Sequence, residues 1–279
     1  MRDSRLNPRA GLIPLVAVAH GSGDPRAAAT VTALLSVVRA RAAGRGLGGL
    51  DVRAAFLDHC APSLPQVLGS LPGEGGRAAV VPLLLTAAYH SKADIPARLA
   101  AAAAARPGLD VARAATLGPH PLLLAALERR LGAAGVAVDD PAARAATSVV
   151  LAAAGSSDPA ANATIADLAA RWARERGWRA VVPGYASAAG PRPAEAVRAL
   201  RADGAEKVVV ATYLLAPGYF ADKVGDAARG AGAAAVSKVL GAAPEVADVV
   251  LDRYLAAVSG QGGAARLASA EPAAARARA

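Results

Sequence analysis

Short apolar runs alternate with longer alanine-rich stretches along the 279 residues of the chain. Runs built from Val, Leu and Ala occupy residues 13–19, 51–57, 79–85 and 111–117, and stretches with helical spacing lie at 25–42, 63–71, 95–105 and 120–133. A short run without polar alternation predicts a strand buried on both faces. Such strands separated by helices predict a parallel sheet with crossover helices. The second half repeats the order, with strands near 148–154, 180–186, 207–215 and 234–239 and helices near 159–176, 192–203, 220–230 and 244–258. The expected fold class is α/β, with two similar lobes, each a parallel sheet with helices on both faces.

The halves share text as well as order. "VAHGSGDPRAAATV" at 18–31 aligns with "AAAGSSDPAANATI" at 152–165, so that Gly155, Ser156, Asp158 and Pro159 fall on Gly21, Ser22, Asp24 and Pro25 at an offset of 134. "FLDHCAP" at 56–62 matches "YASAAGP" at 185–191, "LLLTAAYH" at 83–90 matches "YLLAPGYF" at 213–220, and "LGPHP" at 117–121 matches "LGAAP" at 240–244. Four matches in one order point to an internal duplication. The expected division is a first lobe over 1–143, a repeat lobe over 144–258, a polar join within 137–147, and a low-complexity, disordered tail over 259–279.

Composition narrows the class. Apolar residues make up 54% of the chain and aromatics only 3%, so the cores are expected to be close-packed layers of Val, Leu and Ala. The single cysteine, Cys60, excludes an internal disulfide framework, and a cytoplasmic location is expected. The run "GLIPLVAVA" after Arg9 mimics a signal peptide, but "SVVLAAAGSS" repeats it in mid-chain, which favours a buried strand. The net charge of +9 comes from dispersed arginines that are not interleaved with aromatics, which argues against nucleic acid as partner. No apolar run reaches the ~18 residues that a membrane crossing needs. A monomer is expected, because two lobes in one chain supply an internal pseudo-dimer.

The polar residues stand at strand ends. His20 ends the first strand, Gly21 permits a tight turn, and Asp24 before Pro25 is a cap followed by the first helical position. Asp58 and His59 end the second strand. His90 follows the third, where Ser91 and Asp94 have the spacing of a capping pair. In an open parallel sheet the carboxyl ends of the strands border the ligand crevice, so the first half brings metal-type ligands to one rim. The repeat puts Ala154, Ser187 and Phe220 where the first half has His20, Asp58 and His90. The turns therefore do not need those side chains, which favours chemistry in the first half and substrate shaping in the second. His120, beside prolines at a helix start, reads as a hydrogen-bonded turn residue, and His59 is open between the two roles.

"AHGSGDPR", "FLDHCAPSLP" and "VVPLLLTAAYHSKADIP" together resemble the class II sirohydrochlorin chelatases over roughly residues 12–258. The resemblance implies two α/β lobes related by a pseudo-twofold axis and a tetrapyrrole in the cleft between them. It implies insertion of Fe2+ or Co2+ into sirohydrochlorin for sirohaem or cobalamin synthesis, with the divalent metal as substrate and no organic cofactor. His20 and His90 are the implied metal ligands and catalytic pair. Asp58 is a weaker third ligand, because the family often has the longer glutamate there. Imidazoles bind such ions well and, with an ordinary pKa near 6.5, suit proton acceptance as the metal leaves. A carboxylate-rich substrate makes Ser22 and Lys92 candidate anchors. Tyr89, Gly218, Tyr219 and Phe220 are candidates to line the macrocycle's faces. The alternative is a metal or tetrapyrrole carrier using the same cleft without turnover.

Overall fold

The computed structural model describes residues 12–73, 76–87, 90–260 and 265–267, with the backbone course only for His90 and for 265–267. Two separate sheets form. In the first, β2 (Val52–Phe56), β1 (Leu15–Ala19), β3 (Arg77–Pro82) and β4 (Asp110–Arg113) run parallel in that spatial order. In the second, β6 (Ala180–Tyr185), β5 (Thr147–Ala153), β7 (Lys207–Tyr213) and β8 (Ala235–Val236) repeat it. The central strands β1 and β5 are buried along their whole length, as expected of strands covered on both faces.

Helix starts explain why the chain turns where it does. Asp24, Asp158 and Asp140 each accept a backbone N–H with the side chain and are followed by Pro, opening α1 (Pro25–Gly44), α6 (Pro159–Arg176) and α5 (Pro141–Ala146). A Ser63–Gln66 capping box opens α2 (Leu64–Gly69). The remaining helices are α3 (Ile95–Ala105), α4 (Pro121–Ala133), α7 (Pro193–Ala202), α8 (Tyr219–Gly230) and α9 (Pro244–Val258).

These elements stack in layers. α2 and α3 bury Leu64, Leu68, Ile95 and Leu99 against the outer face of the first sheet. α7 and α8 bury Val197, Leu200 and Val224 against the outer face of the second. Between the sheets lies one continuous core, to which α1, α4, α6 and α9 all contribute. The lobes exchange helices within it. α9 comes from the second half but packs on α1, β3 and β4 of the first, while α4 comes from the first half and packs on β7 of the second. Tyr254 on α9 donates to the Ile13 carbonyl at 2.8 Å, and Trp172 on α6 donates through Nε1 to Glu128 on α4 at 2.9 Å. The second half as divided by sequence, 144–258, therefore carries a helix that belongs by packing to the first sheet.

The polar stretch at 137–147 holds the helix α5. Other expectations need correction. The third strand stops at Pro82, although Leu83 N–H still donates to the Val18 carbonyl of β1 at 2.7 Å, and Leu83–Leu85 supply the cleft wall described below. In the stretch expected to be disordered, 259–279, Ala265–Leu267 form β9, antiparallel to β4 at the sheet edge. Residues 90–94 form a π-helical turn, and Asp94 has helical dihedrals and no capping hydrogen bond at α3, so Ser91 and Asp94 are not a capping pair. Asp94 accepts instead from Arg98 one turn on, at 2.7 Å.

Candidate functional site

The turn after β1 is built by backbone bonds that the second lobe repeats. Asp58 N–H donates to the His20 carbonyl and Ser187 N–H to the Ala154 carbonyl, both at 2.8 Å. Gly21 (φ +93°) and Gly155 (φ +81°) take the left-handed conformation that glycine favours, and a Cβ on either would lie 1.8 or 2.0 Å from the carbonyl oxygen of Asp58 or Ser187. His59 (φ 62°) and Ala188 (φ 57°) share the next unusual backbone position. Since alanine holds that conformation in one lobe, the backbone does not require the imidazole in the other.

These turns meet across a cleft of about 320 Å³ where the carboxyl ends of the central strands of both sheets converge. Its first-lobe wall contains His20, Leu83–Thr86 and Ser91, and its second-lobe wall contains Ala153–Ser156 and Tyr213–Leu215. Tyr213 Oη donates to the Leu85 carbonyl at 3.2 Å, joining the two walls, and burial pushes its phenol pKa up. A Cβ on Gly118 would strike both partners of that bond, which explains glycine there.

The expected site residues fall into groups. His20 lies in the cleft, half-buried, with Nδ1 donating to the Gly21 carbonyl at 3.0 Å. In the neutral ring that leaves the lone pair on Nε2, the tautomer of a metal ligand oriented from behind. His90 opens the π-helical turn that carries Ser91 to the cleft, and its side chain lies outside the described residues, as does all of Tyr89. Asp58 faces Arg98 at 3.2 Å. The His59 ring is exposed, 6.3 Å from that of His20 between centroids. Among the described residues no group of three His, Cys, Asp or Glu side chains is placed to hold a metal ion. His120 is the turn residue that the sequence suggested. It caps α4, with Nδ1 accepting from Leu122 N–H at 3.2 Å, and burial and Arg253 lower its pKa.

The candidate substrate residues line the rims. Ser22 Oγ accepts from Asp24 N–H at 3.1 Å, the turn bond that Ser156 repeats for Asp158 at 3.0 Å. Gly218 (φ +150°) sits 3.9 Å from Asp24, as measured from a Cβ built on it, and precedes an exposed aromatic pair, Tyr219 (69%) and Phe220 (44%). Their rings meet edge to face at 5.7 Å. Lys92 reaches across the cleft to Asp158 at 2.6 Å, and its bond there holds the Asp158 carboxyl below the usual range.

The sequence reading missed the partners on this rim. Arg26 bridges Asp24 on its own lobe and Asp222 on the other, the latter at 2.6 Å, and its hydrogen bond lowers the Asp24 pKa. A signal was present: at an offset of 130 the repeat sets Asp222 on Lys92, opposite charges at one structural position.

Comparison with known proteins agrees with this architecture. The chain is 28% identical over 168 residues to the sirohydrochlorin cobaltochelatase of Priestia megaterium, covering 60% of this chain and 54% of that protein. It is 27% identical over 179 residues to the sirohydrochlorin ferrochelatase of the same organism, covering 63% and 65%. The chain thus spans between about half and two thirds of the length of these curated relatives. In structure it is similar to SirB from Bacillus subtilis with Fe3+, with a TM-score of 0.72, 24% identity, and coverage of 89% of this chain and 97% of that one. The CbiX family model matches residues 14–134 and 148–257, one stretch in each half, and the chain belongs to that family.

Proposed function

We propose that the protein is a sirohydrochlorin chelatase that inserts Fe2+ or Co2+ into the tetrapyrrole. The observation that carries this reading is the cleft at the meeting of both sets of strand ends, with a histidine at the end of β1 on one wall and an apolar repeat wall opposite. The names of the two Priestia megaterium relatives, one a cobaltochelatase and one a ferrochelatase, support both metals as substrates.

In this reading His20 and His90 take the hydrated ion from solvent and present it to one face of the macrocycle. The Gly21 carbonyl fixes the His20 ring through Nδ1, so that Nε2 is the nitrogen that serves as ligand. Ligand bonds of about 2 Å place the ion between the imidazoles and the pyrrole nitrogens. Two pyrrolic protons leave as the metal enters. The imidazoles, relieved of the ion, accept them. Asp58 serves as a further ligand or proton acceptor only after leaving Arg98. The second lobe contributes Gly218, Tyr219 and Phe220 to the opposite face, and Tyr89 and Ser22 complete the substrate contacts on the first. The chain acts as a cytoplasmic monomer, its exchanged helices already filling the interface that two single lobes would share, and it uses no organic cofactor.

The test is anaerobic spectroscopy of sirohydrochlorin with Fe2+ and with Co2+. The expected result is insertion well above the spontaneous rate with at least one ion. A spectral shift on binding without faster insertion identifies a carrier instead.

A further inference from the structure

Two ion pairs cross the cleft rim, and the internal repeat sets the lysine of one on the aspartate of the other. Arg26 of the first lobe meets Asp222 of the second, and Lys92 of the first meets Asp158 of the second, each at 2.6 Å. Lys92 and Asp222 are matched positions of the repeat, as are Asp24, which Arg26 also grips, and Asp158. On both sides the first lobe supplies the cation and the second supplies the acid.

These pairs do little to hold the lobes together. All four side chains are about a third to a half exposed, where an ion pair contributes little to stability. The exchanged helices α4 and α9 already fix the lobes. Each cation also stands at the lip of a pocket. Arg26 borders one of about 760 Å³ where Arg130, Arg229 and Lys238 outnumber the two acids, Asp222 and Asp226. Lys92 borders one of about 420 Å³ that also contains Arg113 and no carboxylate.

We infer that Arg26 and Lys92 are receptors for two carboxylate arms of the ligand, and that Asp222 and Asp158 hold these receptors until the ligand displaces them. The inference rests on the proposed function insofar as that reading supplies a polycarboxylate macrocycle. Exchange of one carboxylate for another needs only side-chain rotation, which suits lobes locked by shared helices. It also favours ligands with two carboxylates spaced to reach both rims, since a monocarboxylate recovers only one of the two pairs.

The experiment measures binding of metal-free sirohydrochlorin by its visible absorbance, together with KM and kcat for insertion. The Asp158→Asn, Asp222→Asn double variant is expected to bind about 3- to 10-fold more tightly, the change falling on KM and not on kcat. Arg26→Gln with Lys92→Gln is expected to weaken binding about 10-fold or more. Neither effect should appear with the methyl ester of the ligand, and Asp203→Asn, which removes an exposed carboxylate at the α7 end, should leave binding as it was. Unchanged or weaker binding in the aspartate variant, equal tightening for the ester, or equal tightening from Asp203→Asn would overturn the assignment. If the wild-type chain binds with the expected pattern but inserts no metal, the chelatase reading fails and the receptors stand. If it inserts metal while the aspartate variant keeps the wild-type KM, the receptors fail alone. If it binds no sirohydrochlorin, both fall.

Discussion

Gly21 and Asp58 approach so closely that a methyl group on the glycine would lie 1.8 Å from the aspartate's carbonyl oxygen. The same contact recurs between Gly155 and Ser187, at 2.0 Å, in the lobe without the cleft histidine. Gly21→Ala and Gly155→Ala should therefore each cost about 2–4 kcal/mol, from left-handed strain plus the clash. Urea unfolding measures both. At concentrations where both variants remain folded, Gly21→Ala should reduce insertion more than Gly155→Ala, because Gly21 also supplies the carbonyl that orients His20.

His20→Ala and His90→Ala should each remove most insertion activity while leaving tetrapyrrole binding close to wild type, since the proposed ring and carboxylate contacts lie on other residues. The double variant should be little worse than either single one, because two ligands of one ion act as a unit. Absorbance of bound sirohydrochlorin and initial insertion rates separate the two properties. Additive losses would mean that the histidines do not share an ion.

His120 offers a test of pH dependence away from the cleft. Burial and the nearby Arg253 lower its pKa from the ordinary 6.5, so the unfolded chain binds its proton more readily than the folded one. Its contribution to stability is present above about 6.5 and is lost as the pH falls from there toward the lower folded value. His120→Asn keeps an acceptor for the Leu122 N–H and removes the titration. Between pH 7.5 and 5.5 the variant should lose less stability than wild type in urea unfolding, and its insertion rate should stay within a few-fold.

Asp248 on α9 is 8% exposed and accepts from Arg41 on α1 at 2.6 Å and from Arg45, the residue just past the end of α1, at 2.8 Å. Burial alone would raise its pKa, but the two guanidinium groups outweigh burial and hold it below the usual value. Asp248→Ala should cost about 1–3 kcal/mol by leaving two arginines without their shared acceptor. Arg41→Ala should cost less, because Arg45 remains. Thermal unfolding of the three proteins checks the order.

The elements were legible because this chain marks them twice. Asp24–Pro25 and Asp158–Pro159 cap helices at matched places, and the apolar runs of β1 and β5, repeated at matched places, favour buried strands over a signal peptide. His20 stood out in the sequence as a candidate because its counterpart, Ala154, keeps the same turn without it. The exchange of α4 and α9 was not legible, because an amphipathic helix records which of its faces is apolar and not which sheet it covers. The rim ion pairs escaped for a similar reason. Arg26 and Asp222 are 196 positions apart, and only the fold brings them to one edge. The π-helical turn at 90–94 hid behind a spacing that reads equally well as a cap.

The exchanged helices also bear on how the chain comes into being. During synthesis the four parallel strands of the first sheet are all present once β4 has been made, yet the edge of β4 waits for β9 and the inner side of β3 and β4 for α9, which ends at Val258. The nascent first half therefore leaves the ribosome with an open apolar flank and with α4 still lacking the sheet it will cover. Neither gap closes until nearly the whole chain is present.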